Sequence, residues 1–452
     1  MGAITLQQAA AWCGGQVSPK YKDVTFFGAN NDTRKLEAGE LFVALKGARD
    51  GHDFIPAALE KGAAAVLCTH CDGDYPAIVV EDTRVALGDI ARGERQRLGC
   101  KVVGITGSVG KSTTKEMVAA VLSSTYRVGK SPANHNNDIG MPMSILRLPE
   151  DTRIAVLEMG MNHFGEIAYL SSIAKPDVAV IVNIGTMHIE HLGSREGILQ
   201  AKLEILEGME DKGSVVLNGD EPLLWNLRDS IDGIVYFGKK NTHSTLFGTN
   251  VKNTDGGISF DVAYKDISLS IALPVEGEHY VEDALAAVAV GLKLGIEPKL
   301  IEKSLAAFEN MQDRQEIFKA GEYTIIKDCY NAGPESMAAA LAVLGSKTGR
   351  KVAVLGEMLE LGDCTPAEHY RIGRLAAEKA DLVLAYGPNS ERVLKGAITG
   401  GMADTKVRAF EDRDRLVETL RQLACPGDVL LFKGSRGMRM ELILEAFLRE
   451  EK

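Results

Sequence analysis

The sequence has no excess of basic residues: 51 Lys and Arg against 62 Asp and Glu leave a net charge of −11 over 452 residues. Readers of a nucleic-acid backbone ordinarily carry a basic face, so no nucleic-acid partner is expected. Small anionic ligands, which need only a local positive site, are not excluded. No apolar run approaches the ~18 residues of a membrane span. The first residues show no basic stretch leading into an apolar one, so no signal peptide is expected. Leu6 stands where a myristoylation signal needs Ser or Thr. Cysteine is sparse and odd in number, seven in all, which fits reduced thiols and a cytoplasmic location. Cys68-Thr-His-Cys71 has the shape of half a zinc knuckle, but no second Cys-x-x-Cys accompanies it, and no zinc is expected there. Internal repeats and low-complexity tracts are also missing.

What is present describes a globular chain with ample core, 45% apolar and 25% charged,. Its length implies two or three domains. Three textures divide it at 1–98, 99–311 and 312–452. The first mixes short strand-like runs (41–45, 77–80) with glycine turns and an alanine-rich helix near 55–65. In the second, apolar runs at 101–106, 153–157, 178–182 and 214–217 alternate with helix-length segments such as 111–124. That rhythm predicts a parallel sheet covered on both faces. Alternating, more polar strands over 241–273 predict a β insertion, closed by a helix over 281–294. The third repeats the βα rhythm at 351–355, 382–385 and 429–432, with a helix over 365–380, and suits a second doubly wound, Rossmann-like domain.

Chemistry enters at Gly104-Ile-Thr-Gly-Ser-Val-Gly-Lys-Ser112. A glycine-rich turn between strand and helix points backbone N–H groups at phosphate, and the helix N-terminus adds partial positive charge. Lys111 would reach the terminal phosphates and Ser112 would ligate Mg²⁺. Ile105 occupies the place of the first glycine in the general phosphate-loop pattern, so the loop alone supports only nucleotide binding. Glu158 follows the run at 153–157, where a parallel sheet presents ligand groups; a carboxylate there can hold Mg²⁺ or be a solvated loop residue. His188 and His191 are either ligands or packed side chains. Lys202, on a helix, reads by itself as a surface lysine. The amide-rich segment 134–142 is either a ligand-binding loop or a capped turn.

Taken together these residues resemble the Mur ligases of peptidoglycan synthesis. The loop matches that family's GxTGxxGK[ST] variant. Asn136-Asn-Asp-Ile-Gly-Met-Pro142, Glu158-Met-Gly, the segment from Asn183 to Gly193 and Ala201-Lys-Leu-Glu204 follow in the family's order. Lys327-Asp-Cys-Tyr-Asn331, Leu355-Gly-Glu-Met-Leu-Glu-Leu-Gly362 and Phe432-Lys-Gly-Ser-Arg436 resemble the branch that adds D-alanyl-D-alanine. Asp32-Thr-Arg34 and the stretch 42–54 resemble that branch's UDP-substrate module. The resemblance spans nearly the whole chain.

It implies an ATP- and Mg²⁺-dependent amide ligase that activates a UDP-N-acetylmuramoyl-tripeptide as an acyl phosphate for attack by D-alanyl-D-alanine, with Lys111, Lys202 and His188 in catalysis. Gly107, Ser108, Val109, Gly110, Lys111, Ser112 and Thr113 would cradle the nucleotide with Asn136, Asn137, Asp283, Arg314 and Asp328. Ser112, Glu158, His188 and Lys202, the last as a carbamate, would hold metal. Asp32, Thr33, Arg34, Lys46, Gly47 and His52 would bind the UDP substrate, with Tyr330 and Asn331 completing the substrate site. Asp283 stands where the family has an amide beside adenine; Cys329 and Gly333 replace the more usual Ser and Asn. A three-domain monomer is expected. Rival readings are a sister ligase adding one amino acid, a folylpolyglutamate-type ligase, a non-catalytic nucleotide-binding relative and a switch NTPase.

Overall fold

Consecutive apolar residues form strands where a sheet is covered on both faces. In a computed structural model of the chain, which describes residues 2–132, 134–210, 213–254 and 256–449, this holds for the central sheet. Along the strand Lys101–Thr106, Val102 faces one core while Val103 and Ile105 face the other. Ala155 and Leu157 likewise oppose Ile154 and Val156 on the neighbouring strand Ile154–Glu158. That is the period-2 alternation of a strand with both faces dry.

Among the described residues the central sheet has nine strands. From one edge they are Val128–Lys130, Ile154–Glu158, Lys101–Thr106, Val178–Ile181, Ser214–Asn218, Val235–Gly238, Leu246–Thr254, Gly257–Tyr264 and Ile267–Leu273. Neighbours are parallel as far as Leu246–Thr254, and the last three strands pair antiparallel. The expected β insertion therefore takes the form of hairpins extending the same sheet. Lys101–Thr106 lies between two strands that come later in the chain, so the carboxyl ends around it form the crevice where doubly wound sheets bind ligands.

Before it comes a five-stranded sheet in the order Gln16–Val17, Ala77–Val79, Ala65–Cys68, Leu41–Val43, Ala29–Asn30, parallel except at its first pair. The helix expected over 55–65 is shorter. A 3-10 turn at Gly51–Phe54 leads into Ile55–Glu60, and Ala65 already opens a strand. Helix Thr83–Leu98 is capped by Asp82, which accepts from the Arg84 and Val85 amides, and ends at Gly99. Its Leu87 and Ile90 share a core with Met141, Ile145 and Leu170 of the central part, joining the two sheets.

After the central part come six strands in the order Glu316–Ala320, Tyr323–Asp328, Val429–Lys433, Lys351–Leu355, Leu382–Tyr386, Val407–Phe410. All are parallel but the first. Helix Thr365–Lys379 forms as expected. Among the described residues no helix is long and apolar enough to cross a membrane.

Candidate functional site

The helix Lys111–Ser123 begins at Gly110, whose φ of 84° is left-handed. A Cβ there would lie 2.4 Å from Asp283 Oδ1, so both conformation and space require glycine. No side chain caps this helix, and its first N–H groups are suited to an anion. Asn183, just beyond the adjacent strand Val178–Ile181, pins the loop. Its Oδ1 accepts from the Ser108 and Val109 amides at 3.0 and 2.9 Å, and its Nδ2 donates to Val109 O at 2.9 Å. The Ser108 hydroxyl accepts from the Gly185 amide at 2.8 Å. Lys111 Nζ folds back onto the carbonyls of Gly107 and Ser108, 2.8 and 3.2 Å away.

Glu158 is 2% exposed, and its carboxylate is fully engaged. Ser112 Oγ donates to Oε2 at 2.7 Å and Asn136 Nδ2 to Oε1 at 2.8 Å. Buried Lys115 reaches within 4.0 Å of the same carboxylate and donates to Ser131 O at 2.7 Å. From beyond the central sheet, Arg314 Nη2 donates to Ser112 Oγ at 2.9 Å while its guanidinium lies 4.0 Å over the Tyr330 ring. The third part of the chain is thus already seated on the phosphate loop.

Burial sets the remaining electrostatics. Lys202 is 2% exposed; desolvation, reinforced by the nearby Lys111 charge, pushes its amine well below the usual lysine range. Lys111 is lowered as well, by burial first, with Glu158 opposing. Asp283 is raised well above the usual carboxylate range by burial, against the Thr114 hydroxyl that donates to it at 2.8 Å. Its contact with Thr114 and its place beside Gly110 brace the first turn of the helix. His188 has a left-handed φ of 65°. Its Nδ1 lies 2.7 Å from Glu360 Oε2, an ion-pair contact without hydrogen-bond alignment.

These groups line a cavity of about 780 Å³ between the central and third sheets. It gathers Ser108 to Thr113, Asn136, Asn137, Glu158, His188, Lys202, Asp283, Arg314, Asp328, Tyr330 and Asn331. Gly107 sits behind it against Val182. The residues expected to bind the UDP substrate are not in its lining and belong to the first part of the chain. Asp32 takes a two-pronged contact from Arg34 at 2.9 and 2.8 Å, in the turn that carries Thr33, and the Lys46 and Asp50 backbones pair in an antiparallel bridge around Gly47. His52 Nδ1 is 2.6 Å from Asp50 Oδ1, and its Nε2 accepts from the Thr69 amide at 3.0 Å. Among the described residues no group of three or more His, Cys, Asp and Glu side chains is arranged to hold a metal. The Ser112 hydroxyl and the Glu158 carboxylate are nonetheless hard oxygen donors beside a phosphate loop. That is the partial donor set Mg²⁺ uses when phosphate and water complete its shell.

Four residues of the site were given no role of their own from the sequence, although Asn183, Glu360 and Lys433 lie in the segments that carry the resemblance. Asn183 pins the loop, Lys433 donates to Asp328 Oδ2 at 2.6 Å and Asn331 O at 3.0 Å, and Glu335 and Glu360 reach back to the central part. Lys433 carried a usable signal, since it is a charged residue ending the apolar strand Val429–Lys433 and is buried there.

Family models match three segments: the Mur ligase catalytic-domain model at 27–95, the Mur ligase middle domain at 105–291 and the Mur ligase glutamate ligase domain at 313–436. The UDP-N-acetylmuramoyl-tripeptide–D-alanyl-D-alanine ligase of Bacillus subtilis is 41% identical, covering 96% of this chain and 95% of its own length. A crystal structure of MurF from Acinetobacter baumannii superposes with a TM-score of 0.91 at 33% identity over 100% of both chains. The MurF ligase of Thermotoga maritima in complex with ADP gives 0.81 at 30% identity, over 93% of this chain and 97% of that one. With its site assembled from the same segments those models span, the chain belongs to the Mur ligase family.

Proposed function

We propose that the chain is an ATP-dependent ligase that joins D-alanyl-D-alanine to UDP-N-acetylmuramoyl-tripeptide through an acyl phosphate, releasing ADP and phosphate, in peptidoglycan precursor synthesis. The observation that carries this reading is the near full-length similarity to a ligase of that name, 41% identical over 96% of the chain. The cavity that joins the phosphate loop to Glu158, Lys202 and Arg314 supports it. In this reading 1–98 binds the UDP substrate, 99–311 binds ATP and 312–452 closes over both. One chain supplies every group lining the cavity, which suits a monomer, and nucleotide-linked substrates suit a cytoplasmic enzyme.

Lys111 and Arg314 flank the phosphates and offset the charge that spreads over the transferred group. The peptide carboxylate attacks that phosphorus and ADP leaves; the dipeptide amine then attacks the acyl carbon, phosphate departs and the amine proton is released. Tyr330 and Asn331, brought in with the third sheet, hold the dipeptide beside it. The closed seating excludes water, which otherwise hydrolyses an acyl phosphate. Ser112 and Glu158 would hold Mg²⁺, with His188 and a carbamylated Lys202 completing its protein ligands, and bound metal supplies charge neutralisation at the phosphates. Burial shifts the Lys202 amine toward its neutral form, the form that adds to carbon dioxide: an N–C bond forms and one proton leaves. The test is ADP release and product mass with UDP-N-acetylmuramoyl-tripeptide and either D-alanyl-D-alanine or free amino acids. Turnover with single amino acids and none with the dipeptide would assign a sister activity instead.

A further inference from the structure

The segment from Gly185 to His188 connects two things. On one side it is tied to the phosphate loop: the Gly185 amide donates to Ser108 Oγ at 2.8 Å, and the preceding Asn183 pins the Ser108 and Val109 amides. On the other it is held along its length by the third part of the chain. Glu335 Oε1 accepts from the Thr186 amide at 3.0 Å and from the Thr186 hydroxyl at 3.1 Å. Met187 lies over Gly333, where a Cβ would sit 2.7 Å from Met187 Cγ. Glu360 Oε2 meets His188 Nδ1 at 2.7 Å.

We propose that Glu335 and Glu360 are positioning residues, which set His188 and the phosphate loop for catalysis by gripping the segment 185–188 when the third part of the chain is seated. The proposal rests on the ligase reading for what His188 and the loop do. Both carboxylates are solvent-accessible; the Glu360 side chain is 48% exposed and Glu335 is exposed. Such contacts contribute little to stability. Yet His188 and Glu360 both hold left-handed backbone, each with φ 65°. Non-glycine residues keep that conformation only where surrounding contacts impose it, and such residues gather at functional sites. The two grips act on one short segment, so releasing either end frees the same loop.

The full-length Glu335→Ala, Glu360→Ala and double variants test this by turnover, ADP binding and thermal melting. Each single variant is expected to lower kcat for dipeptide-dependent ADP release by ~10-fold, on the principle that small misplacements of catalytic groups are costly. ADP affinity should stay within about twofold and Tm should be unchanged. The double variant should fall little below the singles, because coupled residues are not additive. Glu335→Gln, which keeps the acceptor oxygen, should recover most of the activity. Wild-type kcat in the double variant, or losses that multiply, would overturn the proposal; so would losses explained by a lower Tm or weaker ADP binding. Wild-type turnover in the same assay judges the ligase reading separately. Small-angle scattering of the ADP-bound proteins reads the grip without substrate. A larger radius of gyration in the double variant supports it, and equal radii reject it.

Discussion

Lys202 and Asp283 are both buried, and burial disfavours the charge on each, with different consequences. A lysine desolvated beside Lys111 is costly as an ammonium, which argues for chemistry at its amine,. Lys202→Ala is expected to lower kcat by at least ~100-fold, the scale on which a lost charge-stabilising group acts, with partial recovery on adding acetate or formate. Normal activity without rescue would make it a structural lysine. For Asp283 the folded-state pKa lies above its ordinary 3.8, driven by burial. The folded protein therefore holds a proton that the unfolded chain releases. The stability tied to that proton is complete below about pH 4 and is lost as pH rises through the folded value. Asp283→Asn keeps an acceptor for Thr114 but cannot ionise. Its Tm should match wild type near pH 4 and exceed it increasingly toward neutral pH. Parallel Tm curves for the two proteins would show that Asp283 does not titrate against folding.

At the scale of elements, the turn into helix Lys111–Ser123 is the most demanding. Gly110→Ala places a Cβ in a left-handed residue and against Asp283. It should cost about 1–2 kcal/mol in stability, the penalty of that conformation for an L-residue, and weaken ADP binding further because the loop must shift. Calorimetric titration with ADP decides it, and wild-type affinity would refute the tight fit. This turn was legible because its glycines and Lys-Ser sit between an apolar strand and a helix. The fully buried strands Lys101–Thr106, Ile154–Glu158 and Val178–Ile181 were legible for the same reason, being apolar on both faces. Edge strands were not. Val128–Lys130 pairs on one side only and carries a glycine and a lysine, and Glu316–Ala320 is a polar edge. Neither needs an apolar run to be stable. Lys327 interrupts Tyr323–Asp328, which read as motif rather than strand. Residues that act by reaching between parts of the chain, Glu335 and Glu360 above all, show no role in the local sequence, even where a motif contains them, because their partners are more than a hundred residues away.

Across the whole molecule, the first part is set against the central one by more than the shared apolar core. Glu40, 2% exposed, receives Arg147 Nε at 2.9 Å and Nη2 at 2.5 Å, together with Asn30 Nδ2 at 3.3 Å and the Glu37 amide at 2.9 Å. Arg147 follows helix Gly140–Leu146, so this carboxylate helps tie the first sheet to the central part. Removing it takes an acceptor from the Arg147 guanidinium, the Asn30 side-chain amide and the Glu37 backbone amide. Breaking a buried pair costs ~3–5 kcal/mol, but Arg147 is 30% exposed. Water can therefore take up part of the loss, and about 2 kcal/mol is expected for Glu40→Ala. If the first part carries the UDP substrate, loosening its seating should raise KM for that substrate several-fold while KM for ATP holds, since the phosphate loop makes no contact with Glu40. Denaturant melts and paired KM measurements at a temperature where the variant is folded separate the two effects. Equal changes in both KM values would mean that the seam governs the central sheet itself rather than the orientation of the first part.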